Sequence, residues 1–356
     1  MDSNAHRVLL IRFGAFGDLV LALEAVKALK LSRYRGEIHF LTKVKFEPII
    51  MCLIGECYSE LLPRVRVHTV PDKASLWSLL SVLRNLRGYQ YSFVYDLHSN
   101  LRSRISIMIL QRPFLRISKG RFRELFQFIF RSYAKRFLGH SYRRSNEVVR
   151  MISPMGSFAI AARDVPIGGR MSAGSTDSRF IPLLSKLSID PVIFKSRRIV
   201  CISSETAWLT KQWPEERFRD LSSRLILKGF HVVWLGLGKG LNLDPHKMLF
   251  DLRGLLALED LVHLLKMATL TVCNDTGLMH LSEALGTPVV GIFGPTTTGL
   301  GFGPRLIESR IVEKPLWCRP CSKTGRFCHR PWNRQKCLKD ISIDEVFQKV
   351  CDLVEK

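Results

Sequence analysis

Three short strings carry residue types able to work on a phosphorylated ligand. The first, Gly14-Ala-Phe-Gly17-Asp18, follows the apolar run Val8–Ile11. Glycines at such a strand-to-helix turn let the backbone approach a ligand, and the next helix turns its positive dipole end toward it. The spacing is not G-x-G-x-x-G, so no dinucleotide is implied. Asp18 has two roles open to it: a carboxylate facing the crevice beyond the strand ends, or the cap of the following helix.

The second string is Cys273-Asn-Asp275-Thr276-Gly277-Leu278-Met-His280, followed by Glu283 and a second strand that ends in Gly294-Pro295-Thr296. Backbone N–H groups of Thr276, Gly277 and Leu278 at a helix start make a pyrophosphate cradle, and His280 on the first turn can reach the same anion. The third is Ser203-Ser204-Glu-Thr-Ala-Trp-Leu-Thr-Lys211-Gln-Trp213-Pro214. Hydroxyls after a strand can cap a helix or bind phosphate, and Lys211 can neutralise one; taken alone it is equally a solvated loop lysine.

A fourth string is of another kind. Cys318, Cys321, Cys328 and Cys337 gather in one basic loop, while Cys52, Cys57, Cys201, Cys273 and Cys351 are scattered as small apolar residues. A C-x2-C followed by two further thiols suits a structural zinc or iron site; free thiols are the other reading. The surrounding Arg and Lys residues would favour thiolate.

The elements that must position these strings alternate. Strands are expected at Val8–Ile11, Ile38–Leu41, Val65–Val70 and Phe93–Tyr95, with helices between them, one near Ala74–Leu86. A Gly-, Ser- and Pro-containing linker covers residues 151–195. A second set follows: strands at Ile199–Ile202, His231–Leu235, Leu270–Cys273 and Val289–Phe293, and helices near Glu215–Leu227, Leu258–Met267 and Gly277–Leu285. A last helix covers Ile341–Val354. Such alternation implies an α/β fold of parallel sheets with helices on both faces, in two Rossmann-like halves.

The chain has 356 residues, 46% of them hydrophobic, a mean hydropathy of +0.07 and a net charge of +23. This excludes a mostly disordered chain. No apolar run reaches the roughly 18–20 residues of a membrane span. Met1–Asn4 carries an acid and Val8–Ile11 is broken by Arg12, so no signal peptide is expected. The chain reads as cytoplasmic. The charge calls for an anionic partner: nucleic acid, an anionic membrane face or a phosphorylated substrate. Leu101–Arg150 holds 13 Lys/Arg against two acids and includes an amphipathic stretch, Arg121–Leu138, that suits either core packing or an anionic lipid surface. No nucleic-acid-binding pattern is present, so nucleic acid is not an expected partner.

The three strings, together with Asp96-Leu-His98-Ser, resemble glycosyltransferase family 9, the ADP-heptose:lipopolysaccharide heptosyltransferases, from Val8 to about Ile343. The resemblance implies a GT-B fold: two Rossmann-like domains facing a cleft, with the C-terminal helix packing back on the first domain. It implies an acceptor domain over residues 1–180, a nucleotide-sugar domain over 181–340 and the terminal helix over 341–356. Asp18 resembles the family's catalytic base, and Lys211 the residue that stabilises the donor phosphates. Ser203, Ser204, Asp275, Thr276, Gly277, Leu278 and His280 resemble the donor-binding residues, and Gly14, Gly17, Asp96 and His98 those near the acceptor. The implied reaction is inverting transfer of a heptose or similar sugar from an ADP-sugar to a lipopolysaccharide core, with no cofactor for catalysis. The implied place is peripheral, on the inner face of the cytoplasmic membrane. Similar cysteine clusters occur in a branch that heptosylates autotransporter proteins, which keeps a protein acceptor open. A non-catalytic or epimerase-like relative is the other alternative. One departure stands out: family members often carry a Glu in the loop after the strand His231–Leu235, where the nearest acid here is Asp244.

Overall fold

The computed structural model describes residues 6–31, 34–73, 75–117, 198–238 and 240–355. Those up to 117 belong to one compact unit and those from 198 on to another. The expected boundary at 180/181, the linker over 151–195 and the basic stretch Arg121–Leu138 lie outside the described residues.

The first unit runs β1 (Arg7–Ile11), α1 (Phe16–Leu31), β2 (Glu37–Lys43), α2 (Glu47–Cys57), β3 (Val65–Val70), α3 (Leu76–Arg87), β4 (Phe93–Asp96), α4 (Leu101–Leu110) and β5 (Phe114–Arg116). The sheet order is β3-β2-β1-β4-β5, and every pairing is parallel. Val8–Ile11 are fully buried, which is why this strand reads as an unbroken apolar run. α1 packs Leu19, Leu23, Val26 and Leu29 into the interior, and α3 adds Leu79, Leu83 and Leu86. α4 begins on a capping box: Asn100 accepts the Ser103 N–H at 2.9 Å, and Ser103 Oγ accepts the Asn100 N–H at 3.0 Å.

The second unit runs β6 (Ile199–Ser203), α5 (Glu215–Leu227), β7 (His231–Trp234), β8 (Leu249–Asp251), α6 (Leu258–Met267), β9 (Leu270–Asn274), α7 (Gly277–Ala284), β10 (Val289–Phe293), β11 (Arg310–Glu313), a single turn α8 (Lys336–Lys339) and α9 (Ile343–Val354). Its order is β11-β10-β9-β6-β7-β8, again parallel throughout. The core joins Val200, Trp213, Phe218, Leu225, Trp234 and Val272. Both units thus have the parallel, doubly wound form expected from the alternation. The edge strands β5, β8 and β11 were not expected, because three or four half-exposed residues leave no apolar run to read.

The terminal helix forms as expected, and α9 buries Val346 and Val350 in the second unit's core. Val346 and Val350 are fully buried there beside α5, and Arg224 pairs with Asp344. The helix starts on its own capping box, Ser342 with Glu345. The spacing of Val346 and Val350 matches the apolar stripe that α5 and β11 leave open.

Candidate functional site

In each sheet the strand order reverses beside the first strand, between β1 and β4 and between β6 and β9. At such a switch point the loops leaving the carboxyl ends of neighbouring strands diverge, which opens a crevice for a ligand.

In the first unit, Ile11 pairs with Asp96, so the chain segments leaving β1 and β4 run side by side. Arg12 is buried and ties them together: Nε donates to the Gly14 carbonyl at 3.0 Å, and one terminal nitrogen to the Leu97 carbonyl. Its other nitrogen pairs with Asp18, whose side chain is 28% exposed in the first turn of α1. Asp18 also accepts the Ala15 N–H at 3.4 Å, so it draws in the turn before the helix while leaving part of its carboxylate open. Gly14 has φ +129°, and a Cβ there would meet the Phe46 ring at 3.0 Å; only glycine suits the position.

Asp96 is fully buried and accepts the N–H groups of His98 (3.0 Å) and Ser99 (2.6 Å) and Arg116 Nε (3.0 Å). It shapes the turn and is closed to solvent. His98 Nδ1 accepts the Phe13 N–H at 3.0 Å, locking the two loops to each other. Gly14, Gly17, Asp18, Asp96 and His98 therefore converge on one strand-end constellation. Arg12, which organises it, is the residue that sequence reasoning passed over.

In the second unit, Ser203 pairs with Cys273, placing Ser203 and Ser204 beside Asn274 and Asp275. Asn274 is a buried staple: its amide donates to the Ser204 carbonyl at 2.7 Å and accepts the Trp213 N–H at 3.0 Å. Asp275 Oδ2 pairs with Lys211 Nζ at 2.6 Å and accepts the Thr296 hydroxyl at 2.7 Å. Lys211 is thus no freely solvated loop lysine. It is held at the switch point, 15% exposed, next to the N-terminus of α7. Thr276 precedes that helix in extended backbone, and the first N–H groups of α7 have no acceptor within the helix; these are the groups from which an anion cradle was expected. His280 lies on the following turn, buried, with its ring 6.5 Å from that of Phe302. Glu283 is buried and accepts the N–H groups of Arg305 and Leu306 and the Ser309 hydroxyl at 2.8–3.0 Å; burial pushes its carboxyl up.

The loop after β7 is held by acids from elsewhere in the chain. Glu205 accepts the N–H groups of Leu237 (2.7 Å) and Gly238 (3.2 Å), and Glu215 that of Leu241 (3.1 Å). Arg253 bridges Glu215 (3.0 Å) and Asp251 (2.6 Å). Asp244 is exposed. The Trp213-Pro214-Glu215 string was the available signal for Glu215; nothing near Glu205 marked it.

Two readings stood open for the cysteine loop. Cys318, Cys321 and Cys337 are buried, and the other three thiols of the loop act electrostatically on Cys337. Among the described residues, however, no three or more His, Cys, Asp or Glu side chains are gathered as a metal would require. The sulfurs are held by hydrogen bonds instead: Cys318 Sγ accepts from Arg330, Cys328 Sγ accepts the Gln335 N–H, and the Cys321 thiol donates to the Cys318 carbonyl, each at 3.4 Å. In this arrangement they anchor a loop. The expected thiolate character is corrected at Cys337, where burial outweighs the nearby Arg319 and pushes the thiol up to about 11.

The chain matches the family model described as glycosyltransferase family 9 (heptosyltransferase) over residues 79–329. Lipopolysaccharide heptosyltransferase 1 of Campylobacter coli is 26% identical over 305 residues, covering 82% of this chain and 84% of the relative. The solved Escherichia coli ADP-heptose lipopolysaccharide heptosyltransferase II superposes with a TM-score of 0.68 at 19% identity, over 98% of this chain and 99% of that one. The iron-containing dodecameric glycosyltransferase TibC of enterotoxigenic E. coli shares the fold at a TM-score of 0.57 and 16% identity, over 99% and 77% of the two chains. With two switch-point constellations on two parallel sheets and a family match across most of its length, the chain belongs to glycosyltransferase family 9 and is a glycosyltransferase of the GT-B fold.

Proposed function

We propose that this enzyme transfers a heptose from ADP-heptose to a lipopolysaccharide core, inverting the anomeric carbon, with Asp18 as general base. The observation that carries the reading is Asp18 itself. It is a part-exposed carboxylate at the switch point of the first sheet, aimed by a buried arginine. In the proposed step Asp18 takes the proton of the acceptor hydroxyl, whose oxygen attacks the anomeric carbon as the bond to the diphosphate breaks. The charge that develops on the leaving ADP falls to Lys211, the N-terminus of α7 and the hydroxyls of Ser203 and Ser204. His280 lies on the same helix, α7. Gly14, Gly17, Asp96 and His98 shape the acceptor side. The names of the similar enzymes support the ADP-heptose donor and the lipid-linked acceptor. An acceptor of that kind places the enzyme peripherally on the inner face of the cytoplasmic membrane.

A thermal-shift panel of ADP-, GDP- and UDP-sugars should single out ADP-heptose. Turnover with that donor should then follow on a heptose-free lipopolysaccharide core and not on an autotransporter passenger protein. Asp18→Asn should lower kcat at least 10³-fold while leaving the donor-induced thermal shift intact. Near-normal turnover by this variant would remove Asp18 from the role of base.

A further inference from the structure

Between Lys314 and Lys336 the chain holds seven Lys/Arg and no acid. The same stretch exposes three large aromatic side chains, Trp317 (64%), Phe327 (59%) and Trp332 (84%). Trp208 and Leu209, on the loop after β6, add to it: the Arg326 guanidinium lies 5.0 Å from the Trp208 ring and 5.5 Å from the Phe327 ring. Arg330 lies 5.6 Å from the Trp317 ring. Large exposed apolar surface of this kind marks a contact surface.

The platform is firmly seated. Arg319 is buried and donates to the carbonyls of Gly294, Phe293, Thr296 and Lys314, and the Cys321 N–H donates to the Pro295 carbonyl at 2.7 Å. Gly325 packs on the Lys211 side chain, and the Thr210 hydroxyl donates to the Gly325 carbonyl.

We propose that this basic aromatic loop docks the second unit on an anionic phospholipid bilayer. The positive charge requires an anionic partner, and the rings require one that is apolar just beneath its charged layer; an anionic head-group region supplies both. A second copy of this chain is a poor occupant, because a two-fold contact would set the same positive loop against itself. Its contact with Lys211 sets the loop beside the residue proposed to meet the donor phosphates. The inference deepens the reading of the acceptor as lipid-linked and rests on it. The test uses neither donor nor acceptor, so its failure is distinct from a failed transfer assay.

The full chain is sedimented with vesicles of phosphatidylcholine alone or with phosphatidylglycerol added. Binding should require phosphatidylglycerol, weaken as salt rises, and fall at least tenfold in Trp317→Ala/Phe327→Ala/Trp332→Ala. Lys323→Gln/Arg326→Gln/Arg334→Gln should lose roughly fivefold for each charge removed. Thermal melts of both triple variants should match the parent, since the substituted side chains reach solvent. Three results would overturn the proposal: no binding to anionic vesicles at low salt; unchanged binding in the triple variants together with its loss in Arg104→Gln/Arg112→Gln; or an aromatic variant whose lost property is self-association or single-stranded nucleic-acid binding, with vesicle binding kept.

Discussion

Asp18 and Arg12 form a pair in which only the acid touches solvent appreciably. Replacing Arg12 by Met should cost about 2–3 kcal/mol of stability, since two loop carbonyls lose their buried donor. It should also cut kcat more than donor affinity, because the carboxylate loses its aim; melts and a separation of kcat from KM would show both. Lys211→Met should lower kcat by about 10²–10³ and shrink the donor-induced thermal shift. A variant with full kcat would take the ammonium out of leaving-group stabilisation. Asp18, Lys211 and the Asp275–His280 turn were legible because strand ends and helix starts have local signatures. Arg12, Thr296 and Glu205 were not. Their partners lie 85, 21 and 32 residues away, and only the folded sheet brings them together.

At the scale of elements, the neighbouring strands β2 and β3 carry a histidine pair. His39 Nδ1 lies 2.9 Å from His68 Nε2 and 2.8 Å from the Tyr91 hydroxyl. Burial pulls the His39 imidazole down to about 4, with His68 and Arg66 adding to the fall and Glu37 opposing it; burial and then Arg66 also lower His68. Folded-state values below the ordinary 6.5 mean that the unfolded chain binds protons first. The stability contributed is therefore complete above pH 6.5 and is lost as pH falls toward 4, by about 3 kcal/mol for His39 alone. His39→Gln should flatten the acid limb of a stability-versus-pH curve. On α9, Ser342→Ala should cost about 1 kcal/mol through the capping box, and Val350→Ala more, both read as a lower melting temperature of the second unit. The helix itself was legible from its period. Its packing partner was not, because an apolar stripe does not specify which surface covers it.

For the molecule as a whole, the net charge of +23 divides between the two units. The basic run over 101–150 begins on α4 of the first, and the run over 314–336 lies in the second. The first was legible as a density of Lys and Arg. The second was visible in sequence only as the surroundings of four cysteines, because the exposure of its aromatic rings is a property of the folded loop. Each unit has its own sheet and core, and the Lys211–Asp275 constellation, the proposed donor site, lies entirely within the second. ADP at a hundredfold excess over its Kd should thus add about 2.7 kcal/mol to the unfolding of the second unit. A calorimetric trace in which ADP moved only the transition of the first unit would reverse the assignment of donor and acceptor sides.

The six tryptophans give this enzyme a built-in optical partition. Trp213 and Trp234 are sealed in the second unit's core, Trp208, Trp317 and Trp332 reach its surface, and the first unit holds a single, exposed Trp77. Acrylamide should therefore quench emission in two populations. The blue-shifted, protected one reports the second core alone, and the accessible one is dominated by the basic aromatic loop. Melting of the first unit should leave the emission maximum almost unmoved, since Trp77 is already in water. A fluorescence melt thus follows the second unit selectively, without a label.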